Sequence, residues 1–322
     1  MSNGIKRRTA VGGVGALGLS LAVAAGAPSR ARAQRPCMAH LFSFGSAGSG
    51  EGQFGYLEDF AFMPDGRLLA TDASHGWVQV FDAEGRYLTR FGGKGDGEEN
   101  LVKPEGIAVD SSGKVFVADH ATGLVHVYSS DFGWISTFGG FGVAPGFLAK
   151  PELMTISGGR LYVPEAGNHR VSVFDLAGVF QFSFGGHGAG AGEMNNPEAI
   201  KAGADGLLYL TDLRNDRVQV FDSSGKPLFA WGSTGVGEGQ LRCPTGLALD
   251  AAGRVYVTEF GNDRIQAFDG RGRFLGMAGR RGSGPGEFSN LHGIAVHPRS
   301  GLIYVADTGN NRVQVFRPGL AG

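Results

Sequence analysis

Six positions that recur once per repeat carry most of the chemistry this chain could perform: Glu58, Glu105, Glu152, Glu198, Thr245 and His292. In the repeat register each begins the first strand-like run of its copy. A radial arrangement would gather them around one end of a central axis. Four carboxylates converging there repel one another. A bound cation, protonation through raised pKa values, or solvation in a wide mouth would each relieve that repulsion. Carboxylate oxygens with one imidazole suit Ca²⁺ or Mn²⁺ better than a soft-metal site. Glu58, Glu105, Glu152, Glu198 and His292 are therefore the candidate metal ligands, and Thr245 a candidate ligand-binding residue. The purely structural alternative is that the glutamates cap neighbouring backbone amides.

A second series, Asp72, Asp119, Glu165, Asp212, Glu259 and Asp307, ends the second run of each copy. In four copies an arginine follows closely, at Arg170, Arg217, Arg264 and Arg312. An acid and a guanidinium repeated in step read as a structural latch. The first two copies carry Trp77 and Leu124 instead, and their loops hold His75 and His120. Asp72, His75, Asp119 and His120 are accordingly candidate ligand-binding residues offset to one side. Lys201 replaces a residue that is small at Ala61, Ala108, Ala248 and Ala295, and joins them as a neutralising cation or a desolvated base. The glycine-rich loops, such as Gly237-Glu238-Gly239-Gln240, recur at the repeat period without a strand-to-helix context. They serve turns rather than phosphate.

These residues need elements to hold them. The second-series acids are spaced by 46 to 48 residues, and an aromatic recurs in step at Phe81, Tyr128, Phe174, Phe221, Phe268 and Phe316. Each copy divides into four short runs: Ile107-Ala108-Val109, Val115-Phe116-Val117, the alternating Val125-His126-Val127-Tyr128, and Trp134 to Phe138. One such sheet buries its faces poorly, whereas six packed around an axis share a core and protect their edges. The expectation is an all-β, six-bladed β-propeller of four-stranded antiparallel blades. The last copy lacks a fourth run, and an orphan Phe42-Ser43-Phe44-Gly45 sits near the start, so the N-terminal strand closes the ring. This places Cys37 near the bottom and Cys243 at the top, too far apart for a disulfide.

Domain boundaries follow. Lys6, Arg7 and Arg8 precede an apolar run from Ala10 to Ala27 and the small-residue Ala31-Arg32-Ala33, so residues 1–33 read as a twin-arginine-type signal peptide. Residues 34–39 read as a linker, 40–318 as the propeller and 319–322 as a tail. The expected location is periplasmic or secreted, with no integral membrane span after cleavage. Without residues 1–33 the chain has 24 basic and 30 acidic residues, a net charge near −6 that disfavours nucleic acid. A monomer is expected. Two cysteines cannot build a RING module.

Pro-x-Gly-Ile-Ala-Val-Asp (Pro104 to Asp110), then Val-Tyr-Val-(Ala/Thr)-(Asp/Glu), then Gly-Asn-x-Arg-(Val/Ile)-Gln-(Val/Ala)-Phe resembles the NHL repeat, over residues 40 to 316. That resemblance implies a binding or interaction scaffold using its top face toward a protein, peptide or glycan. A more distant resemblance, to the peptidyl-α-hydroxyglycine lyase propeller, implies zinc held by three histidines that open inner strands. Only His292 matches; Glu58, Glu105, Glu152, Glu198 and Thr245 stand at the other positions. The alternative function is thus a metal-dependent lyase or hydrolase at the axial channel, with Ca²⁺, Mn²⁺ or Zn²⁺ as the candidate cofactor.

Overall fold

A computed structural model describes residues 36–95 and 97–319. The expected signal peptide, the first two residues of the expected linker and most of the expected tail lie outside the described residues. No helix among them is long and apolar enough to cross a membrane.

Six four-stranded antiparallel sheets follow one another along the chain. The first blade is Leu57–Phe62, Leu68–Asp72, Trp77–Phe81 and Tyr87–Gly92, running from axis to rim. The Val-x-Val-Phe alternation of each third strand explains its role. Val78, Val80 and Phe81, like Val218, Val220 and Phe221, are completely buried or nearly so between adjacent blades. Between the first and sixth blades, Leu57, Phe60 and Phe81 meet Tyr304, Val313 and Val315 in one cluster. Successive clusters repeat this around the ring.

The ring closes as expected, with one change of boundary. Met38–Phe44 pairs antiparallel with Arg312–Pro318, from Met38 opposite Pro318 to Phe44 opposite Val313, with a bulge between His40 and Phe42. The strand begins at Met38, not Phe42, so two residues assigned to the linker are sheet. Cys37 is already fully buried and bonded through its backbone to Met277 and Gly319. Among the described residues both cysteines are free, with Cys37 beside Met277 and Gly319 and Cys243 on the loop entering a first strand.

Inner strands pack shoulder to shoulder because the residue after the ring position is usually small. A Cβ at Gly106, Gly246 or Gly293 would collide with the carbonyl oxygen of Glu152, His292 or Glu58 in the adjoining blade. Second-strand threonines then pin the ring residues' backbone: Thr71, Thr211 and Thr258 donate to the carbonyls of Glu105, Thr245 and His292 at 2.6–2.8 Å. The third blade departs from this. Its regular inner strand starts only at Thr155, with Glu152 ahead of it, and Leu153 occupies the small-residue position.

The latches form as expected. Arg170, Arg217, Arg264 and Arg312 place Nε 2.6–2.8 Å from Glu165, Asp212, Glu259 and Asp307, whose carboxylates are buried. Their remaining guanidinium nitrogens donate to carbonyls of the incoming loop, as Arg264 does to Val236, Gly237 and Gln240.

Candidate functional site

Glu58, Glu105, Glu152, Glu198 and His292 do converge at one end of the axis. Glu58, Glu105 and Glu152 are each no more than 4% exposed. Their partners are side chains, not the backbone amides of the structural alternative. His292 Nδ1 lies 2.9 Å from Glu58 Oε2, and its Nε2 lies 3.2 Å from the Tyr56 hydroxyl. Tyr56 and Phe260 both stand edge-on to the imidazole. His292 Nε2 is thus engaged, whereas its buried Nδ1 lies against Glu58 with no hydrogen bond aligned on it.

The opposite side of the mouth is built differently. His120, on the loop after the second strand of blade two, turns inward. Its Nδ1 lies 2.8 Å from Glu105 Oε2 and 3.1 Å from Glu152 Oε1. That nitrogen is buried, yet no hydrogen bond is aligned on it. One donor atom from each of Glu105, His120 and Glu152 falls within 4.8 Å of the others. Lys103 Nζ caps the far oxygen of Glu105 at 2.5 Å.

Electrostatics divide the cluster. Burial opposes ionisation of Glu105, but His120, Glu152 and Lys103 overcome it and hold this carboxyl down to about 2. Burial, reinforced by the Glu105 and Glu198 charges, holds Glu152 well above the usual carboxylate range. Glu198 is pushed up to about 8 by burial, with Glu105 and Glu58 adding to the effect and His292 opposing it. Burial raises Glu58 despite its imidazole partner. For His292 burial works against protonation, but Glu58, Glu198 and Glu105 outweigh it and raise the imidazole to about 9. Glu105 alone is held below the ordinary carboxylate range, while burial raises Glu58, Glu152 and Glu198.

Several candidates move elsewhere. Thr245 is 1% exposed, and its hydroxyl bonds Leu291 O and the Thr258 hydroxyl, so it belongs to the wall. Asp72 and Asp119 are fully buried. Asp72 accepts from the amides of Gly55 and Tyr56 and lies 2.8 Å from His75 Nδ1. His75 itself stacks on Trp77. Asp119 accepts from the amides of Val102, Lys103, Ala121 and Thr122. Where the arginine is missing, loop amides complete the latch, and these residues hold loops. Lys201 lies three residues further along its strand than Glu198. Its Nζ is 3.2 Å from Met154 O and 3.5 Å from Asp59 Oδ2.

Residue-type reasoning missed Tyr56, Lys103 and Asp59. Asp59 is fully buried, held up in pKa by that burial, and has one oxygen without a hydrogen bond among the described residues. The signal was available. Asp59 stands where the other copies have Gly106, Leu153, Ala199, Gly246 and Gly293.

The three-histidine zinc set of the lyase resemblance does not fit this mouth. Among the described residues it offers two imidazoles, one of them engaged by Glu58 and Tyr56, within a carboxylate-rich wall. Two carboxylates and one imidazole, at Glu105, Glu152 and His120, fit a harder cation.

Known proteins match the fold. The NHL repeat pattern matches residues 101–128, 241–268 and 288–316. RING finger protein nhl-1 of Caenorhabditis elegans is 42% identical over 48 residues, which are 15% of this chain and only 5% of that protein. A protein of unknown function from Bacteroides thetaiotaomicron superposes with a TM-score of 0.67 at 16% identity, covering 87% of this chain and 75% of that one. Virginiamycin B lyase from Staphylococcus aureus gives 0.59 at 13% identity, covering 87% of this chain and 95% of its own. At such identities these structures speak to the fold alone. Strand order and ring closure make the chain a six-bladed β-propeller, and three segments of it match the NHL repeat.

Proposed function

We propose that this is an extracytoplasmic binding propeller whose acidic axial mouth holds a divalent cation and presents it, with the top face, to a protein, peptide or glycan. The observation that carries this reading is the convergence of Glu105, His120 and Glu152 on one small volume, with a buried His120 Nδ1 on which no hydrogen bond is aligned. A cation there would replace the proton of Glu152, so uptake would release protons. Lys103 and Glu198 would complete the polar surround. Export is supported by the Arg7-Arg8 pair and the apolar run after it.

A second reading, a metal-dependent lyase or hydrolase, is favoured by Glu198. A buried carboxyl at the same mouth, with its pKa raised to about 8, is suited to hold a proton for general acid work. Chelator-sensitive turnover would separate it from binding alone.

Equilibrium dialysis of the chelator-stripped protein against Mn²⁺ and Ca²⁺, with elemental analysis, tests the proposal. About one equivalent per chain is expected for one of them. Glu152→Gln, which mimics the protonated carboxyl and so leaves the fold intact, should weaken that uptake at least tenfold. Equal metal content in the two proteins would refute it.

A further inference from the structure

Internal symmetry exposes a second site, on the second blade. In blades three to six a latch arginine fills the slot between the third strand and the incoming loop, donating to loop carbonyls. Arg170 reaches Val143 O and Phe147 O, and Arg217 reaches Ala189 O, Gly190 O and Glu193 O. The first blade has Trp77 at that position, yet it still supplies a guanidinium. Arg90 from its outer strand lies over the Trp77 ring at 4.0 Å and donates to Ser49 O, the counterpart of Ala189 O and Val236 O. Five of six blades therefore place an arginine in this slot.

The second blade places none. Leu124 stands at the latch position and Thr137 at the counterpart of Arg90. What remains is a cavity of about 580 Å³, lined by Gly97, Glu98, Asn100, Leu124, His126 and Trp134. Its acceptors persist. Gly97 and Asn100 correspond to Gly237 and Gln240, whose carbonyls both take bonds from Arg264. The third-strand glutamine that also bonds this loop elsewhere is His126 here, and it contacts Glu98 O instead of Asn100 O. The charge fits as well. Glu98 is exposed at the rim, and Asp119 accepts from backbone amides and makes no ion pair among the described residues. Trp134 lines the same cavity from the outer strand, with its indole nitrogen donating to the Thr137 hydroxyl at 3.1 Å.

We infer that this slot receives the arginine side chain of a partner polypeptide, which occupies the place the other blades fill themselves. A guanidinium suits it because carbonyls at two points of one loop need a planar, multi-donor cation; a lysine ammonium bridges them poorly. The slot is separate from the axial mouth, so it neither needs a bound metal nor stands or falls with one.

The test uses the mature chain in chelator with three blocked tripeptides, Ac-Gly-Arg-Gly-NH₂ and its citrulline and lysine counterparts. The reporter is the Trp134 indole resonance, assigned with Trp134→Phe. The arginine peptide should shift it saturably, with the neutral citrulline peptide at least tenfold weaker. Leu124→Arg, whose own guanidinium would occupy the slot, should abolish the response and keep a cooperative thermal transition. Equal responses to arginine and citrulline, no saturation at tens of millimolar, or an unchanged response in folded Leu124→Arg would each overturn the inference. If Leu124→Arg fails to fold, the arginine-versus-citrulline comparison on the wild type decides alone.

Discussion

Deleting Met38–Phe44 should lower the melting temperature of the protein lacking residues 1–33 by at least about 10 °C, or leave no cooperative transition at all. The seven residues are the outer strand of the sixth blade, yet they lie at the opposite end of the chain from its other three strands. They are therefore the covalent fastening between first and last blades. Their loss would leave Arg312–Pro318 as an open edge and uncover the seam between the blades. Phe44 packs on Phe81 with ring centroids 5.1 Å apart and Phe42 stacks on Phe44. Met38 and Cys37 cover the fifth-to-sixth seam below. Each large apolar side chain taken from such a place costs about 1.5–3 kcal/mol, and one kcal/mol moves the midpoint of a domain this size by about 2–4 °C. The lost ladder hydrogen bonds and the loss of closure itself add to this cost. Thermal melts followed by circular dichroism measure it. A deletion variant melting within two degrees of wild type would show that the ring is held elsewhere.

The metal-free protein should lose stability as pH rises from about 5.5 to 9, opposite to the trend set by carboxylates that are salt-bridged in the fold. The sign comes from the mouth. Glu198, raised to about 8, binds a proton in the folded state that the unfolded chain has already released, so its contribution declines as pH climbs toward 8. Glu152 and Glu58, raised by burial, act the same way. His292, raised to about 9, contributes fully below its ordinary range near 6.5 and loses that contribution as pH passes 9. Glu105, held down to about 2, matters only in strong acid. One pKa unit corresponds to about 1.4 kcal/mol, so the combined loss is on the order of several kcal/mol, or roughly 5–10 °C. Glu198→Gln should flatten the slope. A melting temperature that is constant or rises across this range would mean that the ring is ionised and solvated, not buried and proton-sharing.

The fold was legible because the sequence repeats. Acids near 47-residue spacing, a recurring aromatic and one surplus N-terminal run dictate blade number, strand register and closure together. The same register brought Glu58, Glu105, Glu152, Glu198 and His292 to one place. Register reads what recurs, however, and the site is finished by what does not. His120 directly follows the latch acid, where the fifth blade has Phe260, also turned to the mouth; the imidazole, absent from the other copies at this position, is what reaches Glu105 and Glu152. Thr245 failed in the other direction. It is in register, but a short hydroxyl finds Leu291 O and Thr258 nearer than the channel. Tyr56 and Lys103 each lie two residues ahead of a ring glutamate, outside any strand pattern. Their roles follow from side-chain reach, which spacing does not encode.

Anomalous diffraction at the manganese edge, from crystals of the protein lacking residues 1–33 soaked in Mn²⁺, tests cation binding at the mouth most directly. One strong peak is expected within about 2.0–2.6 Å of carboxylate oxygens of Glu105 and Glu152 and a ring nitrogen of His120. No peak at the mouth, or peaks confined to surface carboxylates elsewhere, would contradict it.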